Sequence, residues 1–109
     1  MKQTKIGPGS KVVYEWTEGP FAGYVFDVDL LADGKLKWQS VDGAGNKDSA
    51  IEDTYSVREL TAGVTQIAWL EAVGYTINVT VIPAEGRAIG IVSNNTEFYV
   101  LAGKLREVR

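Results

Sequence analysis

A chain of 109 residues fits one domain, and 45% hydrophobic side chains, 10% of the chain being aromatic, are enough for a packed core. The net charge of −3 comes from 14 acidic and 11 basic residues dispersed along the chain. No basic run tracks phosphates or an anionic surface, so neither nucleic acid nor membrane is expected as a partner. There is no cysteine and no histidine. That removes thiol nucleophiles, disulfides, histidine bases, zinc sites built on those residues and every Ser-His-Asp arrangement. Any chemistry must use carboxylates, phenols, amines or guanidinium groups.

In chain order, MKQTKIGPGS lacks the apolar stretch of a signal peptide, and no apolar run approaches the roughly 20 residues that span a bilayer. A cytoplasmic protein with a single domain over residues 1–109 is expected. Helix periodicity is nearly absent, and strand alternation recurs throughout. KVVYEW (11–16) aligns Val12, Tyr14 and Trp16 on one face, and YVFDVDLL (24–31) sets Tyr24, Phe26, Val28 and Leu30 against Val25, Asp27 and Asp29. KLKWQSV (35–41), IEDTYSVREL (51–60), TQIAWLE (65–71), YTINVTVI (75–82), RAIGIVS (87–93) and EFYVLAG (97–103) follow, rich in β-branched and aromatic residues. The intervening TEGPFAG, ADGK, DGAGN, TAG, AVG, PAEG and NNT are short and carry Gly, Pro, Asn or Asp. About eight strands joined by tight turns predict an all-β fold, a small antiparallel up-and-down barrel. Such a barrel has room inside for side chains or one small ligand.

Alternation assigns Val12, Tyr14, Trp16, Tyr24, Phe26, Val28, Leu36, Trp38, Ile51, Tyr55, Val57, Ile67, Trp69, Ile77, Val79 and Val81 to the interior. Glu71 is in phase with Ile67 and Trp69 and joins that set. Two explanations stand open: a strand-end carboxylate on a wet rim, or an acid in an aromatic cavity whose desolvation favours its neutral form. The rings at Tyr14, Trp16, Trp38, Tyr55 and Trp69 either fill the core or leave a slot between them. Gly43-Ala44-Gly45 reads as a turn, since no helix pattern follows it. Asp27 and Asp29 read as a solvated outer face, and neither a metal nor a cofactor is expected.

The stretch VRELTAGVTQIAWLEAVGYTINVTVIPAEGRAIGIV (57–92) resembles the phenolic acid decarboxylases and the related MoaF-like proteins. It contains a Leu-Thr-x-Gly-Val turn at Leu60 to Val64, a Trp-x-Glu pair at Trp69 and Glu71, and a Pro-x-Glu-x-Arg turn at Pro83 to Arg87. VVYEW (12–16) is similar to the first strand of that family. The resemblance implies a lipocalin-like (calycin) barrel and catalytic roles for Glu71 and Tyr14 toward a hydroxycinnamic acid. Trp16 stands where a second tyrosine is expected and cannot donate a phenolic proton. The loop 42–50 supplies Lys47 and Asp48 in place of an arginine that would clamp a substrate carboxylate.

These readings converge on a barrel that binds a small apolar or aromatic molecule. Tyr14 and Glu71 are its polar contacts, and Trp16, Tyr24, Phe26, Trp38, Tyr55 and Trp69 are its ligand-binding lining. The alternative is a small lyase, cyclase or isomerase in which Glu71 acts as general acid/base. A homodimer is expected, because the resembled enzymes pair and because residues 79–82 and 88–91 are apolar on both strand faces.

Overall fold

Strand-forming residues dominate the chain, and among the residues described by the computed structural model, 5–52 and 54–109, nine strands form one curled sheet. They are β1 (Lys11–Trp16), β2 (Val25–Leu30), β3 (Leu36–Val41), β4 (Lys47–Glu52), β5 (Tyr55–Thr61), β6 (Val64–Leu70), β7 (Thr76–Ile82), β8 (Arg87–Ser93) and β9 (Phe98–Val108). Two single 3-10 turns, Gly19–Phe21 and Pro83–Glu85, interrupt the connections. The strand order is β4-β3-β2-β1-β9-β8-β7-β6-β5, with every neighbour antiparallel. This is the expected all-β up-and-down architecture, with the first and last strands brought together in mid-sheet.

The ninth strand arises where sequence periodicity suggested one element over 51–60. Counting senses along eight antiparallel steps, β4 and β5 run in the same direction, yet only residues 53 and 54 separate them. Two parallel strands side by side would need a crossover of about a dozen residues. Instead β4 and β5 follow one another along the chain, β4 pairing with β3 and β5 with β6. β4 begins at Lys47, inside a segment whose polar residues read as loop.

Register explains the interior. Tyr14 stands opposite Phe26, Phe26 opposite Ser40 and Ser40 opposite Asp48, and directly paired residues share a face. By the same rule Leu36 on the core face places Glu52 inward, so Glu52 is buried at 3% exposure and Ile51 lies outside at 59%. This corrects the inward assignment of Ile51. The other residues assigned inward are buried or half-buried. The indole of Trp16 lies where side chains at Gly90 and Gly103 would project. A Cβ on Gly90 would meet its Cη2 at 2.8 Å, and one on Gly103 would meet its Cε3 at 3.1 Å. Only glycine leaves that slot open.

Two faces carry little of the core. Outside β1 and β2, Lys11 bridges Asp27 at 2.7 Å and Asp29 at 3.3 Å, in keeping with a solvated acidic face. Outside β8 and β9, Ile91 pairs with Val100, and both are exposed together with Phe98. Among the described residues no helix is long and apolar enough to cross a membrane.

Candidate functional site

The ends of β1, β3, β6 and β8 and the starts of β2, β4, β7 and β9 lie at one end of the sheet. There the rings stop short of filling it. A cavity of about 430 Å³ is lined by Tyr14, Trp16, Phe26, Trp38, Trp69 and Glu71, with Phe21, Tyr24, Tyr75 and the exposed Asp48, Ser49 and Val73 among the rest of its wall. Sites that hold small molecules have such volumes and such predominantly apolar walls. Edge and stacked contacts fix the rings: Tyr14 stacks on Phe26 at 5.5 Å between centroids and meets Trp16 edge-on at 5.1 Å. Phe21 stands nearly perpendicular to Tyr24, Tyr75 and Tyr99. Rings locked against one another cannot collapse into the space beside them, which keeps it open.

Glu71 follows the last residue of β6 and opens the turn to β7; its N–H donates to the Tyr75 carbonyl at 2.7 Å and its carbonyl accepts from Gly74 at 2.8 Å. It is at a strand end, yet only 7% exposed. Trp69 Nε1 donates to its Oε2 at 3.1 Å. Burial pushes the carboxyl from its ordinary 4.5 up to about 7; the indole bond pulls the other way, and the charge of Glu52 adds to the rise. Tyr14 is also raised well above its ordinary range, by burial first and by the charge of Glu71 second. Its hydroxyl makes no hydrogen bond to a described residue and has the cavity before it.

Glu52 was not anticipated. Both its carboxylate oxygens accept from the Ala72 N–H at 3.1 Å, and Trp38 Nε1 donates to Oε2 at 3.4 Å. It therefore ties the end of β4 to the turn that carries Glu71, and each of the two carboxylates receives one indole. The signal for it was the register with β3, which single-strand alternation does not contain. Phe21 was also missed, because it occupies a connection rather than a strand; Tyr75, in phase with Ile77 at the head of the expected strand 75–82, is absent from the interior set although its period places it there.

Of the sequence-derived site residues, Glu71, Tyr14, Trp16, Tyr24, Phe26, Trp38 and Trp69 line this cavity. Tyr55 does not. It starts β5 opposite Trp69, but its hydroxyl donates to the Leu31 carbonyl at 3.1 Å and it is not part of the wall, which corrects its placement in the lining. Among the described residues no group of three or more carboxylates is placed to hold a metal ion.

A solved structure described as a "putative beta-lactamase from Burkholderia vietnamiensis" is similar along nearly its whole length. The two share the fold. The TM-score is 0.69 at 20% sequence identity, covering 97% of this chain and 98% of the other. No protein family profile and no curated protein matches the sequence. A likeness at this identity carries the β architecture and nothing of the chemistry.

Proposed function

We propose that this protein is a small-molecule-binding barrel that takes an apolar or aromatic ligand into the cavity at Glu71. The observation that carries the reading is the open volume itself. An aromatic end with about 430 Å³ left unfilled, with Glu71 and the unpartnered Tyr14 hydroxyl among the polar groups of its wall, is an expensive way to build a core and an effective way to build a site. Rings supply the contact area, and Glu71 and Tyr14 supply orientation. A fluorescence and thermal-shift screen of aromatic compounds tests it. Ligands should quench tryptophan emission and raise the Tm, and Trp38→Ala should abolish both effects while the far-ultraviolet circular dichroism is kept. A screen without hits, or hits indifferent to Trp38→Ala, would overturn the reading.

One observation favours the enzyme alternative: a carboxyl titrating near 7 beside a buried phenol is poised for proton transfer. Decarboxylation of hydroxycinnamic acids fits less well. Among the described residues that line the cavity there is no arginine or lysine to hold a substrate carboxylate. Incubation with p-coumarate or ferulate should release negligible carbon dioxide, and efficient turnover would reverse that conclusion.

The exposed Ile91, Val100 and Phe98 on β8 and β9 support a homodimer through that outer face. Light scattering at micromolar protein should give twice the chain mass, and a monomeric mass would remove the proposal.

A further inference from the structure

Resting on the binding reading above, we propose that the cavity selects organic cations: a primary or quaternary amine on an apolar or aromatic body, its head between the rings and Glu71. The charges around the cavity carry the inference. Glu71 and Asp48 line it, and Glu52 lies behind the Glu71 turn. Among the described residues none of the three has a cationic partner within 4 Å; the ion pairs are Lys11 with Asp27 and Asp29, Arg87 with Glu85, Arg106 with Glu15 and Arg109 with Glu107. Glu71 and Glu52, buried beside the rings, and the exposed Asp48 at the mouth leave negative potential that no side chain neutralises.

The walls suit the same guest. Ammonium groups are attracted to the faces of Trp, Tyr and Phe, most of all where water is excluded. Phe26 and Trp38 are inclined at 57° and Tyr14 and Trp16 at 67°, so an enclosed cation meets π-systems from more than one direction. The Tyr14 hydroxyl, without a partner among the described residues, can accept an N–H from a primary amine. An anionic guest meets the opposite: two acids in the lining and no base.

Binding of a cation draws the proton from Glu71, so affinity depends on pH. Trp69 on β6, Glu52 on β4 and Tyr14 on β1 act on that carboxyl, and Asp48 on β4 and Tyr75, just before β7, line the same cavity. Below its raised midpoint, each unit of acidification should weaken a cation by up to about tenfold, and above it the affinity should level off.

Four probes of similar size decide the matter: phenethylamine, benzyltrimethylammonium, 2-phenylethanol and 3-phenylpropionate, each titrated by tryptophan fluorescence excited where the phenyl ring does not absorb. At pH 8 both cations should bind at least tenfold more tightly than the alcohol, and the carboxylate should bind weakest. Phenethylamine should weaken steadily between pH 7 and pH 5, and Glu71→Gln should cut the preference for cation over alcohol to less than threefold. Should that variant fold poorly, the pH profile of the parent protein carries the same test. Equal binding of alcohol and cations would overturn charge selection and leave the binding reading intact. Silence from all four probes would overturn the cation assignment, and with a barren compound screen would remove the binding reading too.

Discussion

The two ends of the sheet are built from the same strands by different rules. Away from the cavity, Val12, Val28, Leu30, Leu36, Val79 and Val81 are buried almost completely, an aliphatic core whose branched side chains interlock. At the Glu71 end the same strands switch to Tyr14, Trp16, Phe26, Trp38 and Trp69, and space remains between the rings. One end contributes stability, and the other trades packing for a wall that can receive a guest. Removing a side chain should therefore cost stability at the first end and, at the half-buried rings Phe26 and Trp38 of the second, mainly binding.

The largest contrast is expected from Leu36→Ala, which empties a fully buried site and should lower unfolding free energy by about 2–5 kcal/mol in urea. Half-buried Trp38, two residues along β3 and in the cavity wall, should lose less on change to Ala and lose ligand binding altogether. Equal destabilisation by the two would erase the distinction between the ends.

Glu71→Gln comes next, and its effect has a sign that depends on pH. The folded protein holds the Glu71 proton up to about 7, whereas the unfolded chain releases it near 4.5. Between those values the folded state binds more protons, so parent stability falls as pH rises through the window and the loss is complete above it. At about 1.4 kcal/mol per unit, the difference approaches about 3 kcal/mol. The variant has no such proton, and its Oε1 can still accept the Trp69 indole. Denaturation at pH 8 should find it more stable than the parent by about 1–3 kcal/mol, an advantage that disappears at pH 4. A variant less stable at pH 8 would contradict burial of the ionised group.

Gly103→Ala probes the seam between the ends, where Trp16 lies over the backbone. The added methyl meets the Glu15 carbonyl at 2.5 Å as well as the indole, and about 1–3 kcal/mol should be lost by overpacking. Smallest of all is Asp29→Asn on the outer face, where the Lys11 bridge at 3.3 Å is half in solvent; a change within about 1 kcal/mol is expected, shrinking in salt. A larger effect there would mean that the outer face contributes more than its exposure suggests.

Alternation made most of this legible from sequence. Val12, Tyr14 and Trp16 share a face because a strand has a period of two, and the same arithmetic places Glu71 beside Trp69. It failed where a residue's position depends on its partner strand. Lys47 to Ala50 looks like a loop in composition, yet it forms a strand because its backbone completes the ladder with β3. Ile51 looks like core and Glu52 like surface, and the pairing with β3 reverses them; Glu52 is stabilised inside by the Ala72 N–H and the Trp38 indole, neither of which is near in sequence. Phe21 belongs to a turn, where side-chain direction has no period to read, whereas Tyr75 continues the alternation of Ile77, Val79 and Val81 and was legible. Tyr55 shows a subtler failure: it points inward opposite Trp69, but its hydroxyl goes to the Leu31 carbonyl and the ring does not reach the cavity wall.

Glu71, 7% exposed and in the cavity wall, is a desolvated acid rather than a wet carboxylate on a rim. The most direct test is a carbon-detected NMR titration of its side-chain carboxyl in the intact protein, assigned by comparison with Glu71→Gln. A midpoint near 7, with the Trp69 indole resonance shifting over the same pH range, is the result expected. A midpoint near the ordinary 4.5, with the indole resonance indifferent to it, would place the carboxylate in water and contradict the account.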